Sequence, residues 1–257
     1  MISHIYECRL TLHDNLFFAS REMGILYETE KYLHNWALTY AVFSETYIPR
    51  PYRMKGPTAQ RPGYLDVEHE QNLLQLNSLG LYLFPARPLQ WHYQVNTFKA
   101  AQVGYYGRSE QFGGKAAKHN YPINFGRAKE LAVGSTFCTY LLSEQPLELE
   151  QMPAWIRLGK WATKINIRYQ EQATVTQKHG KFVCTHPLNP IDMPTNTQLL
   201  LYDRVVMPPV SLISQAQLDG GYWRIRAGDD GPNDSSPVVY LPANVAYGAS
   251  HAAAKIG

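Results

Sequence analysis

The sequence is poor in cysteine, and the number and spacing of its three cysteines argue against a disulfide framework and a cysteine zinc site. Cys8, Cys138 and Cys184 are odd in number and far apart, with no CxxC pair among them. The nine histidines form no HxH or HExxH motif. Neither a disulfide framework nor a zinc site is therefore predicted, and no metal or other cofactor is expected. Isolated cysteines in strand-like segments are typical of buried thiols in a reducing cytoplasm.

The sequence also lacks a long apolar run and a secretory signal. No stretch has the length and apolarity of a membrane-spanning helix. The N-terminus, MISHIYECRL, has neither the charged start nor the apolar block of a signal peptide. We therefore expect a cytoplasmic protein with no membrane partner.

A nucleotide-hydrolysing P-loop is absent as well, although residues 107–115 superficially resemble one. The residue five before Gly114 is Ser109 rather than glycine, and Lys115 is followed by Ala116 rather than Ser or Thr. This spacing excludes hydrolysis through a Walker motif.

Acidic residues are almost missing from two windows, 47–64 and 99–129. The first window has four cations and no acid, and the second has six cations against Glu110 alone. Because the whole chain carries a net charge of only +3, its remainder is acidic. Two local basic patches indicate a shaped anion site, whereas solvated loops with chance lysines are the plain alternative. The cations assigned to the candidate site are Arg50, Arg53, Lys55, Arg61, Arg108, Lys115, Lys118 and Arg127.

Glycine and aromatic residues accompany the positive charge in the second window. Glycine lets the backbone approach a ligand closely, and aromatic faces suit the stacking of unpaired bases. The combination predicts contact with a polyanion that has exposed bases, for which single-stranded nucleic acid is the natural candidate. The aromatic residues assigned to stacking in this window are Tyr105, Tyr106 and Phe112.

Hydrophobic periodicity predicts an α+β fold dominated by an antiparallel sheet. Alternation over residues 2–12 predicts a half-buried strand, and helical spacing predicts an amphipathic helix over 29–46 with Trp36 and Tyr40 in the core. This is the first half of a split β-α-β unit. The further predicted elements are a short helix at 66–76 and strands at 79–84, 91–98, 130–142, 164–169, 173–177, 182–186, 198–206, 222–227 and 238–241. Residues 1–257 are expected to form a single domain with a β-rich C-terminal half and inserted loops at about 47–64 and 99–129.

The segment WIRLGKWATKINIRY, residues 155–169, interleaves cations with tryptophan and tyrosine around Gly159. On a strand, Lys164 and Arg168 share one face while Ile165 and Ile167 share the other. An ordinary amphipathic strand with a solvated face explains this pattern equally well. Because the chain has two other basic patches, we interpret the pattern as favouring nucleic-acid contact through Lys160, Trp161 and Lys164.

The sequence also contains groups that could serve in catalysis. A metal-free ribonuclease needs a general base, a general acid and a cation near a phosphodiester. His13 and His119, with Lys115 and the tyrosines of the second window, could supply these groups. Since nothing in the spacing requires them to meet, we favour a passive grip on RNA over cleavage. A scaffold that binds only protein partners through its basic loops is a third reading.

Two segments resemble a known family. LHDNLFFASREMGILYETEKYLHNWALTYA, residues 12–41, and RLGKWATK, residues 157–164, resemble the crRNA 5′-handle-binding subunit of type I-D CRISPR surveillance complexes (Cascade), a member of the RAMP superfamily. The length, the proline-rich basic loop and the glycine-rich region agree with this likeness. The resemblance implies a ferredoxin-like, RRM-related RAMP fold with long basic loops.

The resemblance also implies a function and partners. Such a subunit caps the 5′ handle of crRNA without cleaving it and contacts the backbone RAMP subunits and the large subunit, close to target DNA. A thumb-like β-hairpin interrupts the RNA in relatives, and 99–129 is the candidate thumb. A related subtype uses the corresponding subunit as the repeat-processing endoribonuclease, which is the alternative function here.

The resemblance assigns further contacts to the segment after the first strand. Family members present handle-contacting residues there, which correspond to His13, Asn15, Ser20 and Arg21. For His13 and Asn15, fixing the turn or capping the helix is an equally good explanation.

Overall fold

The computed structural model describes residues 2–43, 62–99, 125–226 and 238–250, together with the backbone of 54–55 and 58–59. The elements in chain order are β1 (His4–Leu12), β2 (Arg21–Met23), β3 (Leu26–Glu28), α1 (Asn35–Phe43), β4 (Met54–Lys55), β5 (Thr58–Ala59), α2 (Leu74–Ser78), β6 (Leu81–Leu83), β7 (Arg87–Gln90), β8 (Tyr93–Lys99), β9 (Phe125–Leu131), β10 (Thr136–Ser143), β11 (Trp155–Leu158), β12 (Thr163–Glu171), β13 (Thr174–Cys184), β14 (Gln198–Val205), β15 (Leu212–Arg226) and β16 (Val238–Pro242). The described chain is rich in strands and has few helices, in agreement with the prediction of a fold dominated by antiparallel sheet. No helix among these residues is long and apolar enough to cross a membrane.

The first sheet has β1 at its centre, in the order β11-β12-β1-β10-β6, with β7 also paired to β10. All of its pairings are antiparallel. Because β1 and β6 are both antiparallel to β10, they run parallel to each other with β10 between them. The connection from β1 to β6 contains α1, which contacts both edge strands of the sheet. The predicted split β-α-β unit is therefore present.

The two faces of the first sheet differ in burial. Cys8, Leu10, Ile165 and Ile167 lie on the core face and are at most 2 % exposed. The opposite face, which we call the open face, carries Arg9 and Arg168 toward solvent. The open face is covered near the start of β1 and along β10, where Ile5, Glu7, Cys138 and Tyr140 are also buried. The prediction of a half-buried strand therefore holds only for the second half of β1.

The helix α1 is shorter than the periodicity predicts, since it begins at Asn35 and not at residue 29. Leu33 is held in an extended bridge in which its N–H donates to the carbonyl of Ala86 (3.1 Å) and its carbonyl accepts from the Ala86 N–H (2.9 Å). The Nδ1 atom of His34 accepts from the Trp36 N–H (3.2 Å). The pairing of Leu33 with Ala86 thus keeps extended the backbone that the periodicity assigned to the first turns of the helix. Trp36 and Tyr40 are buried, as predicted.

A second sheet forms most of the C-terminal half. The long strand β15 pairs with β13 on one side and with β14 and β16 on the other. The two strands predicted at 173–177 and 182–186 are one strand, because β13 pairs with β15 without interruption from Thr174 to Cys184. Continuous backbone pairing overrides the break that Gly180 and its polar neighbours indicate in the sequence.

A third sheet has the order β2-β3-β9-β8. The prediction of one strand over 130–142 is wrong, because β9 ends at Leu131 and β10 begins at Thr136 in another sheet. The turn between them uses Gly134 at a φ of +83°, a left-handed conformation that favours glycine. The short helix predicted at 66–76 is observed later, as α2.

The three cysteines are buried in the core and form no disulfide. Burial raises the pKa of each thiol, since the thiolate would be poorly solvated there. The prediction of buried thiols is therefore confirmed.

Candidate nucleic-acid interface

The tight turn between β11 and β12 brings the RLGKW segment against the turn that follows β1. Gly159 has a φ of +78°, and a Cβ atom there would lie 2.6 Å from the Leu16 Cδ1 atom and 2.8 Å from the Phe17 carbonyl oxygen. The next residue, Lys160, donates its N–H to that same oxygen (2.9 Å). The glycine of the motif is thus required by both backbone conformation and space.

Trp161 lies on the surface formed by this turn. Its ring packs on Phe17, with centroids 4.7 Å apart and planes 32° apart, and the residue remains 48 % exposed. Phe17 is buried and holds one face of the indole in place. The exposed part of the ring is therefore presented in a fixed position, as a stacking platform requires.

The turn after β1 is fastened to the same hairpin. His13 donates its N–H to the Lys164 carbonyl (2.9 Å), and the Lys164 N–H donates to Asp14 Oδ2 (3.1 Å). The Thr163 hydroxyl donates to the Asn15 carbonyl (2.7 Å). These bonds bring His13 and Lys164, which are 151 positions apart in sequence, to adjacent positions on the surface.

A second exposed tryptophan, Trp155, lies at the centre of this part of the surface. The Lys164 Nζ atom lies 4.2 Å from the Trp155 ring centroid, a cation–π contact. The His13 ring meets the same indole edge-on at 4.8 Å. Trp155 is 46 % exposed, so this cluster offers an aromatic surface flanked by an ammonium group.

Positive charge exceeds negative charge around both tryptophans. Arg157 is partly engaged, since it donates to the Ala162 carbonyl (3.1 Å) and lies 4.0 Å from Asp14 Oδ2. Lys160 and Lys164 are exposed and have no ion-pair partner among the described residues. We call the surface of His13, Trp155, Arg157, Lys160, Trp161 and Lys164 the hairpin patch.

Three other predicted contact residues already have partners within the protein. The Asn15 Oδ1 atom accepts from the Val133 N–H (3.0 Å), and the Ser20 hydroxyl accepts from the Glu30 N–H (3.1 Å). Arg21 lies 3.4 Å from Glu28 and 3.2 Å from Glu30. Asn15 therefore has the turn-fixing role considered from the sequence, and Arg21 is largely neutralised by two carboxylates.

Arg127 is exposed on β9, opposite Thr97 of β8. The strands β8 and β9 are antiparallel up to the pair Lys99 and Phe125, so they lead directly into residues 100–124 and back. Lys55 lies in β4, where only the backbone is described. The remaining predicted contacts lie outside the described residues: Arg50, Arg53, Arg61, Tyr105, Tyr106, Arg108, Phe112, Lys115, Lys118 and His119.

The hairpin patch adjoins the strands that carry residues 100–124. Leu16, in the turn that follows β1, exchanges two backbone hydrogen bonds with Leu131 of β9 (2.8 and 2.9 Å). The bond from Val133 to Asn15 lies beside this bridge. The end of β9 at Leu131 therefore lies beside the turn after β1, and the end at Phe125 leads toward residues 100–124.

Sequence reasoning did not assign Trp155 to the site. Its position in an interleaved aromatic and basic segment is a signal, but its contacts with His13 and Lys164 form only across strands. These contacts therefore cannot be read from the residue pattern of 155–169 alone.

A buried polar centre elsewhere contains an unusual acid. Asp192 Oδ2 accepts from Asn35 Nδ2 (2.8 Å), Trp36 Nε1 (3.3 Å) and the Tyr82 hydroxyl (3.2 Å). Burial raises the pKa of Asp192 to about 6, against the lowering effect of these donors. Because Asp192 is fully buried, it ties α1 and β6 to the C-terminal segment and does not reach a phosphodiester.

The family model described as "Type I-D CRISPR-associated protein Cas5/Csc1" matches residues 3–250. The chain belongs to this family. The family resemblance stated from residues 12–41 and 157–164 is therefore confirmed. As a Cas5/Csc1 family member, the chain is a component of a CRISPR effector complex.

Two solved structures are similar to this Cas5/Csc1 chain at low identity. A CRISPR protein from Archaeoglobus fulgidus has 10% identity and a TM-score of 0.40, covering 94% of this chain and 100% of that one. A chain of the Type III-B Cmr-beta complex bound to cognate target RNA and AMPPnP has 7% identity and a TM-score of 0.45, covering 83% of this chain and 86% of that one. No curated protein matches the chain in sequence.

Proposed function

We propose that this Cas5/Csc1 family member is a non-catalytic, cytoplasmic RNA-binding subunit that caps the 5′ handle of crRNA in a type I-D surveillance complex. The hairpin patch is the observation that carries the proposal. It combines two exposed tryptophans with lysines that have no ion-pair partner among the described residues, all on the hairpin that β11 and β12 form. Aromatic platforms flanked by cations suit single-stranded RNA, whose bases are free to stack.

The strand order of the first sheet supports a ferredoxin-like RAMP core. In the order β12-β1-β10-β6, the first and second strands of the unit flank the third, and the fourth lies on the other side of the first. This is the arrangement of a β-α-β-β-α-β unit. The segment between β10 and β12 contains β11 and no helix, so the second helix of such a unit is replaced here by the strand that carries Trp155.

Residues 100–124 are proposed to form the thumb that interrupts the RNA. The antiparallel pair β8–β9 supports this proposal, since it projects the two ends of the segment side by side. The bridge from Leu16 to Leu131 places the base of this pair beside the hairpin patch. One continuous RNA strand could therefore contact both.

The backbone RAMP subunits and the large subunit of the complex are the proposed protein partners. The edge strand β14 supports contact with a neighbouring protein, because Leu199, Leu200, Leu201 and Tyr202 are 37 to 60% exposed. Contiguous exposed apolar residues are typical of protein–protein contact sites.

The test compares binding and cleavage in one titration of the full chain. A labelled mature RNA with the 5′ handle and a labelled repeat RNA are incubated with the protein in EDTA, and a gel scores both products and complexes. Tight handle binding without cleavage is expected. Site-specific cleavage of the repeat would instead establish a metal-independent endoribonuclease, for which the exposed His13 beside Lys164 is a candidate group.

Trp161→Ala is the variant that tests the hairpin patch itself. Loss of one stacked base is expected to weaken handle binding by about 1–3 kcal/mol. Tyr202→Ala is the matched control, since Tyr202 has a similar exposure of 46 % but lies on the second sheet. Equal affinities for Trp161→Ala and the wild type would contradict the stacking assignment.

A further inference from the structure

Three arginines lie in one row across the open face of the first sheet. Arg168 of β12 is directly opposite Arg9 of β1, Arg9 is opposite Cys138 of β10, and Cys138 is opposite Arg87 of β7. Directly paired residues project to the same face of a sheet. Arg87 also acts electrostatically on Cys138 and Tyr140, which lie on this face but are each only 2 % exposed, so the row is accessible at its arginines and not at β10 between them.

The row is positively charged and only partly compensated. Arg9 pairs with Glu7 at 2.6 Å, and its side chain is 66 % exposed. Neither Arg168 nor Arg87 has an ion-pair partner among the described residues, and Arg168 is exposed while Arg87 is half-buried. Like charges directly opposite each other destabilise a sheet. The direct Arg9–Arg168 pair is therefore a cost to folding that a bound anion would remove.

The row is continuous with the hairpin patch. The next position along the same face, two residues from Arg168, is occupied by Asn166, which is opposite Thr11 on one side and Trp155 on the other. The position after that is the pair of Lys164 and Arg157. From Arg168 to Arg87 the row crosses three strand intervals, or about 14 Å. This length suits several consecutive phosphates of an extended strand.

We propose that Arg168, Arg9 and Arg87 form a phosphate-binding track for single-stranded RNA that leaves the hairpin patch and crosses the open face. The inference rests on the proposed RNA-binding function and extends it to a surface outside the predicted contacts. RNA is favoured over an acidic protein because the neighbouring side chains, Asn166 and Thr11, are polar and suit hydroxyl and base groups. The exposed ring of Trp155 adjoins them.

The first test removes the charge at Arg168, which has no ion-pair partner among the described residues. Handle-RNA affinity of the full chain is measured between about 50 and 200 mM salt, a range over which phosphate contacts lose much of their contribution. The proteins compared are the wild type, Arg168→Gln and Arg87→Gln. Each variant is expected to lower the salt slope by about 0.7, the value for one phosphate contact on a single strand. Arg168→Lys should restore the slope, and a thermal melt of each variant checks its folding.

Two controls separate the possible failures. Arg204→Gln removes an exposed arginine of β14 on the second sheet and should leave the slope unchanged. A wild type that does not bind the handle RNA would overturn the proposed function itself. A wild type that binds, with unchanged slopes for Arg168→Gln and Arg87→Gln, would overturn only the track. An equal loss of binding to polyglutamate would also overturn it, since the row would then be a general anion surface.

Discussion

Gly159→Ala is expected to be one of the most damaging single-methyl changes in this protein, because it affects both the backbone and the packing of the hairpin patch. The glycine has a φ of +78°, and a left-handed conformation costs a residue with a Cβ about 1–2 kcal/mol. The new methyl group would also lie 2.6 Å from Leu16 Cδ1 and 2.8 Å from the Phe17 carbonyl oxygen. The oxygen belongs to the backbone and accepts the Lys160 N–H, so it cannot move without breaking that hydrogen bond.

The magnitude follows from these two contributions. Overpacking in a tight site costs about 1–3 kcal/mol, and the reduced freedom of alanine in the unfolded chain offsets about 0.4–1 kcal/mol. We therefore expect the free energy of unfolding to fall by about 2–4 kcal/mol. If the turn instead shifts to relieve the contact, Lys160 and Trp161 move with it, and handle-RNA affinity falls while stability falls less.

Gly24→Ala is the matched control. Gly24 is also left-handed, at a φ of +62°, but no atom lies within 4 Å of the position of its added Cβ. Its loss of stability should be confined to the backbone contribution, about 1 kcal/mol. Urea unfolding followed by tryptophan fluorescence measures both variants. Equal losses of stability, together with unchanged RNA affinity, would refute the close approach of Gly159 to the turn after β1.

Two further predictions concern acid stability and the candidate thumb. Burial lowers the pKa of His34 to about 4 and that of His186 to about 3. Below the ordinary histidine pKa, the unfolded chain therefore binds more protons than the folded one. The contribution of these histidines to the free energy of unfolding rises with pH between about 4 and 6.5. Asp192 acts in the opposite sense, since burial raises its pKa to about 6. Asp192→Asn should therefore steepen the rise of the unfolding free energy between about pH 4 and 6, and His186→Gln should flatten it. Parallel curves for the wild type and these two variants would contradict both assignments. Lys115→Gln and Lys118→Gln should each lower the salt slope of handle binding by about 0.7, and an unchanged slope for both would remove these lysines from the RNA contacts.

The exposed face of β12 shows which part of the site could be read from the sequence. The alternation of Lys164 and Arg168 with Ile165 and Ile167 predicts one basic and one buried face, and the structure has both. Period-two burial is a local property, because successive side chains of a strand point to opposite faces. It can be read without knowing which strands pair.

The boundaries of the elements depended on contacts that the sequence does not show. The first turns of the predicted helix are absent because Leu33 pairs with Ala86. Residues 130–142 divide between two sheets, since β9 pairs with β8 up to Leu131 while β10 pairs with β1. These partners are distant in sequence, and their hydrogen bonds outweigh weak local propensities.

By itself, the sequence determined which kinds of residue are available to the site. It has three isolated cysteines, two basic windows, an RLGKW segment and a family resemblance in residues 12–41 and 157–164. Only the tertiary structure decided the arrangement. It placed His13 and Lys164 against the same ring of Trp155, and it aligned Arg168, Arg9 and Arg87 in one row. The reason is physical, since strand register sets which side chains face each other, and register follows from backbone pairing and core packing across the whole chain.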